Sequence, residues 1–280
     1  MKTDGVAFQG AHGAYSEEAI RQHFGAKRDT VPCRTISEVF NLVETGEVKY
    51  GVVPVENSTE GSVNETYDSL ITTPTKIAGE IVLRVVHCLV ALPSTSISDV
   101  RVVYSHPQAL AQCRGFLASM GAELNVSYDT AGSVEMIRDD GRRDAAAVAS
   151  KAAAQIYGMN VLKEGIEDNG RNYTRFLVIT TEESERSPES KTSVIFSAPH
   201  TPGSLYAALE AFARQGVNLT KIESRPTRQR PWEYYFFLDF EGHRDAATQK
   251  EALRDLVKRT TFLKVLGSYP KARVEQASGA

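Results

Sequence analysis

The chain has 280 residues, 41% of them hydrophobic, which is enough to bury at least one full core and favours two domains. Its formal net charge of -3, with acids and bases interspersed, excludes the basic stripe that nucleic-acid binding requires. Apolar stretches such as Val85 to Leu92 are too short to span a bilayer, and His87 interrupts that one.

The opening Met1-Lys2-Thr3-Asp4-Gly5 has neither the apolar core of a secretory signal nor the Arg/Ser-rich look of a transit peptide. The first two-thirds of the chain then alternates short β-like runs with helical segments, the pattern of an α/β domain. Strands are expected at Val6-Ala7-Phe8, Tyr50 to Val55, Ile81 to Leu92, Val100 to Tyr104, Leu124 to Tyr128 and Ala145 to Val148. A helix over Ile36 to Glu44 gathers Ile36, Val39, Phe40 and Val43 on one face. A second, from Pro107 to Met120, does the same with Leu110, Cys113, Leu117 and Met120. The continuous run Ile81 to Leu92 would carry the chain from one lobe to another, and Arg175 to Thr180 would return it. The reading is therefore a first domain over 1–181 with a cleft between lobes 1–80 plus 172–181 and 81–171.

Thr181 to Ser190 is polar apart from Pro188 and reads as a linker, 182–190. A compact unit over 191–271 follows: strand Thr192 to Ser197, helix Gly203 to Gln215, strands Asn218 to Ser224 and Glu233 to Phe240, helix Ala247 to Arg259, strand Lys264 to Tyr269. This βαββαβ order is that of the ferredoxin-like split βαβ. Gly216 stands where a C-cap glycine belongs, and 272–280 reads as a tail.

Polar runs close several apolar strands: Gly10 to Ser16, Glu56 to Val63, Ser105 to Gln108, and Ala149-Ser150-Lys151. The pentad Asn172-Tyr173-Thr174-Arg175-Phe176 feeds into Leu177-Val178-Ile179, placing an amide, a hydroxyl and a guanidinium at the mouth of a core. In open α/β sheets ligands bind at the carboxyl ends of strands, where such loops suit a small polycarboxylated substrate. Taken singly, these Ser and Asn residues read as helix N-caps; as a set they read as a site.

Other chemistries fall away. There is no GxSxG elbow, no dinucleotide fingerprint, no P-loop lysine and no HExxH spacing. Lys151 reads as a solvated or carboxylate-facing lysine rather than an imine-former, and His200 and His243 as turn or surface residues. Cys33, Cys88 and Cys113 are odd in number and never in CxxC form, which suits reduced thiols of a cytoplasmic protein.

Three groups of residues resemble the motifs of prephenate dehydratase: Val53 to Ser58 with Gly61 and Val63, Ser105 to Gln108 with Gln112-Cys113, and Asn172 to Phe176. Gly203-Ser204-Leu205-Tyr206 and Glu223-Ser224-Arg225-Pro226 resemble the two regulatory motifs of that family's C-terminal ACT domain. The match covers nearly the whole chain, in order. It implies a two-lobed catalytic domain of type II periplasmic-binding-protein topology, then an ACT domain that senses L-phenylalanine. The implied reaction turns prephenate into phenylpyruvate with loss of carbon dioxide and water, with no cofactor or metal. The resemblance assigns Thr174 to the leaving hydroxyl and brings Glu56, Asn57 and Gln112 beside it as catalytic residues. Ser16, Ser58, Ser105, Ala149, Ser150, Asn172, Arg175 and Phe176 are then expected around the substrate, with Phe176 as an apolar wall for the departing carboxylate. Arg175 has two readings, substrate contact or an ion pair supporting its strand. Effector contacts fall on Gly203 to Tyr206, Asn218, Leu219 and Glu223 to Pro226, between the sheets of a homodimer or a dimer of dimers. Two departures stand out: Ala11 and Ala14 in the first loop, whose Ala-Tyr-Ser form resembles arogenate dehydratases, and Gly-Ser-Leu-Tyr in the first ACT motif. Arogenate dehydratase and a non-catalytic amino-acid sensor are the competing readings.

Overall fold

A computed structural model describes residues 3–228 and 231–272. The expected tail therefore falls, beyond residue 272, outside the described residues. Two compact units divide the chain, Met1–Thr66 with Ile81–Phe176, and Tyr67–Glu80 with Leu177–Ala280.

The chain opens with β1 (Thr3–Gln9), α1 (Tyr15–Phe24), β2 (Thr30–Cys33), α2 (Ile36–Glu44) and β3 (Val48–Asn57). It continues through β4 (Gly61–Ser62), α3 (Asn64–Thr72) and β5 (Lys76–Arg84). Strand β11 (Tyr173–Thr180) returns much later to enter the same sheet, whose order is β2-β1-β3-β11-β5. Pairing of β1 with β2 and β3 is parallel, so β1 is covered on both faces and reads as an apolar run: Val6, Ala7 and Phe8 are all buried. Helix α2 keeps its expected bounds because its buried residues, Ile36, Val39, Phe40 and Val43, recur at helical spacing under a Thr35 cap.

Between β5 and β11 lie β6 (Cys88–Ala91), β7 (Val102–Ser105), α4 (Pro107–Gln112), α5 (Arg114–Met120), β8 (Glu123–Val126), α6 (Thr130–Asp140), β9 (Ala145–Ala149), α7 (Lys151–Ile156) and β10 (Asn160–Glu164). The second sheet has the order β10-β6-β9-β7-β8 and is mixed: β7 runs parallel to β8 and β9, while β6 is antiparallel to β9 and β10.

Two expected elements are broken, for one reason. The run Ile81 to Leu92 stops pairing at Val85 to His87, where the His87 backbone N–H donates to Glu167 Oε2 and its carbonyl accepts from Gly165 and Ile166. The helix expected from Pro107 to Met120 splits at Cys113, where Asp168 N–H takes the Gln112 carbonyl at 2.7 Å and Asp168 Oδ1 takes Gly115 N–H. In both places the segment after β10 takes backbone groups that a regular ladder would have used.

The last part of the chain is β12 (Ser190–Ser197), α8 (Ser204–Ala213), β13 (Leu219–Pro226), β14 (Tyr234–Glu241), α9 (Ala247–Arg259) and β15 (Phe262–Pro270). Its four strands are antiparallel in the order β13-β14-β12-β15, a ferredoxin-like sheet. Val194, Phe196, Phe212, Leu238, Phe240 and Leu256 form its core. Ser190 belongs to β12 rather than to the linker. Among the described residues no helix is long and apolar enough to cross a membrane.

Candidate active site

Asn57 stands at the end of β3, and its amide orientation is fixed by the backbone. Its Oδ1 accepts from the N–H groups of Thr59 (2.9 Å) and Glu60 (3.0 Å), closing an Asx turn. A backbone N–H only donates, so the other end of this amide is nitrogen. That Nδ2 donates to Asn172 Oδ1 at 2.8 Å and to Thr174 Oγ1 at 2.9 Å. The same logic then passes along the chain of contacts. Asn172 Nδ2 donates to Gln112 Oε1 (2.8 Å), Gln112 Nε2 donates to Thr59 Oγ1 (3.0 Å), and the Thr59 hydroxyl donates to Asn57 Oδ1 (2.6 Å). Four neutral side chains from β3, its following loop, α4 and the start of β11 thus form a closed ring in which every bond runs the same way. Asn172 is 1% exposed; an amide so buried is tolerable only because the ring satisfies it.

Thr174 hangs on this ring by its acceptor side. It is half-buried, and among the described residues its hydroxyl donates to nothing. One lone pair is held by Asn57, and the proton is left for whatever lies against it.

The other expected site residues fall into distinct places. Glu56 and Arg175 are brought together, with Nη1 4.0 Å from Oε2. Ser58 staples its loop to β11: its N–H donates to the Tyr173 carbonyl at 2.8 Å, and its Oγ accepts from Tyr173 N–H and donates to the Arg171 carbonyl. Ser105 is fully buried and donates to the Val148 carbonyl at 2.6 Å. Ser150 caps α7 through Ala153 N–H and donates to the Gly13 carbonyl at 2.6 Å. Ala149 is buried at the end of β9, and Ser16 is buried in the first turn of α1. Phe176 is 2% exposed. Ser105 and Ser150 give their hydroxyl protons to backbone carbonyls out of solvent, and Phe176 packs in the core.

The loop between β1 and α1 is shaped by Gly13 and Glu17. Gly13 has φ +88°, and a Cβ there would lie 2.5 Å from Ala153 Cα, so only glycine lets the loop approach α7. Buried Glu17 accepts from Gly13 N–H at 2.6 Å and from Thr30, and pairs with Arg21 and His12. Burial alone would raise its pKa, but these hydrogen bonds and the Arg21 charge hold it below the usual carboxylate range. Beside this loop is a cavity of about 630 Å³, lined by His12, Arg34, Glu38, Tyr128, Asp129 and Tyr157 among others; the ring residues do not line it. Cys33, Cys88 and Cys113 are free and buried, and burial pushes the Cys33 and Cys88 thiols up to about 11.

In the second unit Gly203 takes φ +83° immediately before α8. Ser204 and Leu205 line a cavity of about 390 Å³ with Pro199, Trp232, Tyr234 and Phe236. Tyr206 is 71% exposed. Asn218 is exposed and Leu219 half-buried, and Glu223 to Pro226 lie on the edge strand β13 without lining that cavity. Arg225 and Arg228 both reach Asp68, at 3.3 and 2.8 Å.

Comparison with known proteins decides the lineage. A family model described as prephenate dehydratase matches residues 6–184, and one described as ACT domain matches 192–258. The chain belongs to the prephenate dehydratase family. It is 46% identical, over 97% of its own length and 75% of the relative's, to a bifunctional chorismate mutase/prephenate dehydratase of Aquifex aeolicus. An arogenate dehydratase/prephenate dehydratase of Arabidopsis thaliana is 43% identical over 95% of this chain and 72% of the relative. Among solved structures, a prephenate dehydratase from Arthrobacter aurescens in complex with L-Phe superposes with a TM-score of 0.87 at 33% identity, covering 95% of this chain and 89% of that one. A protein described as a novel type of quorum quenching acylase superposes at 0.88 with 35% identity, covering 95% and 98%.

Of the residues in the ring, Asn57, Gln112 and Asn172 are legible from the family's motifs. Thr59 lies inside a polar run that the sequence singles out, but its part in closing the ring carries no sequence signal.

Proposed function

We infer that the protein is a prephenate dehydratase, removing the ring carboxylate and ring hydroxyl of prephenate to give phenylpyruvate for L-phenylalanine biosynthesis. The observation that carries this is the Thr174 hydroxyl, held as an acceptor by Asn57 with its proton free to donate. Carbon dioxide leaves with its bonding pair left in the ring; that pair expels the hydroxyl from the opposite ring carbon, which departs as water with a proton from solvent. Thr174 hydrogen-bonds to the departing oxygen and Asn57 aims it. The ring behind Thr174 is made of amides and one hydroxyl, so no acid feeds it a proton; Thr174 is a hydrogen-bond donor, not a general acid. Oriented donors of this kind are worth roughly 10²–10³ in rate.

The departing carboxylate spreads its charge into the ring, so a cation on it would hold back the ground state. Neutral amides beside Thr174 suit that demand. Arg175, beside Glu56, is assigned to the pyruvyl carboxylate, whose charge does not change, and Ser16, in the first turn of α1, is proposed for the same group. Acyl transfer, the chemistry of one structural neighbour, needs a base to take the nucleophile's proton, and the amide on Thr174 only donates. The return of β11 between β3 and β5 supports a two-lobed arrangement of the periplasmic-binding-protein kind, with lobes 1–80 plus 172–181 and 81–171 and the ACT unit over 191–271. L-phenylalanine is the proposed effector, at the ACT motifs of a homodimer, and buried free thiols suit a cytoplasmic enzyme.

Ultraviolet detection of phenylpyruvate from purified protein and prephenate tests the reading, with arogenate in parallel and L-phenylalanine titrated in. Turnover of prephenate, suppressed by the amino acid, is expected. Turnover of arogenate alone would reassign the substrate, no product from either would reject the enzyme, and a flat response to millimolar L-phenylalanine would reject feedback.

A further inference from the structure

The hydrogen bonds do not end at Gln112. Its Oε1 accepts a second time, from His87, whose Nε2 lies 2.8 Å away. Asn172 already identifies that Gln112 atom as oxygen, so His87 Nε2 carries a proton. Nδ1 faces the Tyr15 hydroxyl at 2.8 Å, and the same hydroxyl lies 3.0 Å from the Val86 carbonyl. A neutral His87 is therefore the Nε2–H tautomer, and the single Tyr15 proton is shared between the bare Nδ1 and the Val86 carbonyl. The two side chains meet edge to face, with centroids 5.5 Å apart and planes at 82°. His87 is 2% exposed, and its main chain is pinned on both sides by Gly165, Ile166 and Glu167.

We propose that His87, backed by Tyr15, is a positioning residue that locks the Gln112 amide in the one orientation that closes the ring behind Thr174. The proposal rests on the prephenate reading above. A turned Gln112 would set its nitrogen against two donors at once, Asn172 Nδ2 and His87 Nε2. It would also offer its oxygen to Thr59, drawing the Thr59 proton away from Asn57. Without His87 the flip meets one opposing donor instead of two.

The groups facing His87 are consistent with a neutral ring. Tyr15 comes from α1, Gln112 from α4 and Glu167 from the segment after β10. Cys88, Glu18, Cys113 and Glu167 act electrostatically on the Tyr15 hydroxyl and favour its protonated form. Burial lowers the His87 pKa, against the opposing pull of Gln112 and Glu167, and burial raises that of Tyr15, which keeps its proton. Both the neutral and the charged imidazole carry Nε2–H, so titration of His87 leaves the lock in place. This separates positioning from acid–base work, which would put a His87-dependent limb on the pH profile of kcat.

The test compares prephenate turnover by wild type, His87→Gln and His87→Leu. His87→Leu is expected to lower kcat roughly 10- to 100-fold with KM changed by less than about threefold, since misplacing a catalytic group costs rate rather than binding. His87→Gln, whose amide N–H reaches the Nε2 position, is expected to recover most of that loss. Wild-type kcat in His87→Leu, or His87→Gln no better than His87→Leu, would overturn the proposal. Nitrogen-shift NMR of isotope-labelled wild-type protein decides the matter if the leucine variant does not fold. A proton on Nε2 with bare Nδ1 at neutral pH supports the lock, and a proton on Nδ1 alone refutes it. Wild-type protein inert toward prephenate would sink the enzyme reading, while the NMR measurement would still judge the tautomer.

Discussion

Two polar networks in this protein are made of different chemistry. In the first unit Asn57, Thr59, Gln112 and Asn172 close a ring without a single charge. In the second, Lys191 Nζ lies 3.0 Å from Glu80 Oε2 and 3.8 Å from Asp239 Oδ2, all three side chains 9% exposed or less. Ser193 donates to Asp239 and meets the Tyr269 hydroxyl at 2.7 Å, and Ala272 N–H donates to Glu80. Lys264 adds a half-buried cation, donating to the Leu70 and Thr73 carbonyls at the end of α3. Each network suits its task. A site that must let a carboxylate lose its charge is better lined with dipoles than with cations. A unit with no reacting group can use charge to hold its elements together, because breaking such a pair is costly.

Lys191→Met leaves two buried carboxylates facing each other and should destabilise the protein by about 3–5 kcal/mol, read as a lower thermal midpoint. Turnover per folded molecule should stay near wild type. An unchanged midpoint would mean that the charges anchor nothing.

A smaller effect sharpens the neutral side, where Glu17 is the buried charge nearest the loop at Gly13. Its carboxyl is held below the ordinary range by Gly13, His12, Thr30 and Arg21, although burial opposes them. Its contribution is therefore fully present above about pH 4.5, its ordinary value, and is lost as pH falls through the lower folded value. Thermal midpoints measured from neutral pH down to the acid limb should fall less steeply for Glu17→Gln than for wild type. Parallel slopes would remove Glu17 from the acid response.

How legible these features are depends on what kind of regularity they have. Helices α2 and α9 keep their expected bounds, Ile36–Glu44 and Ala247–Arg259. In α2 four buried apolar side chains recur at helical spacing; in α9 Ala252 and Leu256 are buried four residues apart. Helix α1 buries Ser16 and Glu17 beside Ala19 and Ile20, so its inward face is half polar and hard to read, whereas α6 buries Ala131, Val134 and Ile137 at helical spacing. Strand β2 is four residues long and contains Pro32, which argues against a strand on composition alone. The breaks at Val85 to His87 and at Cys113 come from a segment about 50 to 80 residues further on (Glu167 and Asp168), which no local pattern contains. The site divides in the same way. Motif residues supply Asn57, Gln112, Asn172 and Thr174, whereas His87 reads only as an interruption of an apolar run. Its meaning lies in which ring nitrogen faces which amide oxygen. The local contacts of Ser105, Ser150 and Phe176 are not legible either: polar or aromatic character near a strand end does not say whether a backbone carbonyl or a packed core takes up the side chain.

The most direct measurement is steady-state prephenate turnover by Asn57→Asp and Thr174→Val beside wild type. A carboxylate at 57 has no N–H for Thr174 Oγ1 and would draw the threonine proton to itself, while valine removes the proton outright. Both should lose roughly two orders of magnitude in kcat, within the range expected for an oriented donor, with Thr174→Val near the wild-type thermal midpoint. Wild-type turnover in either variant would contradict the account.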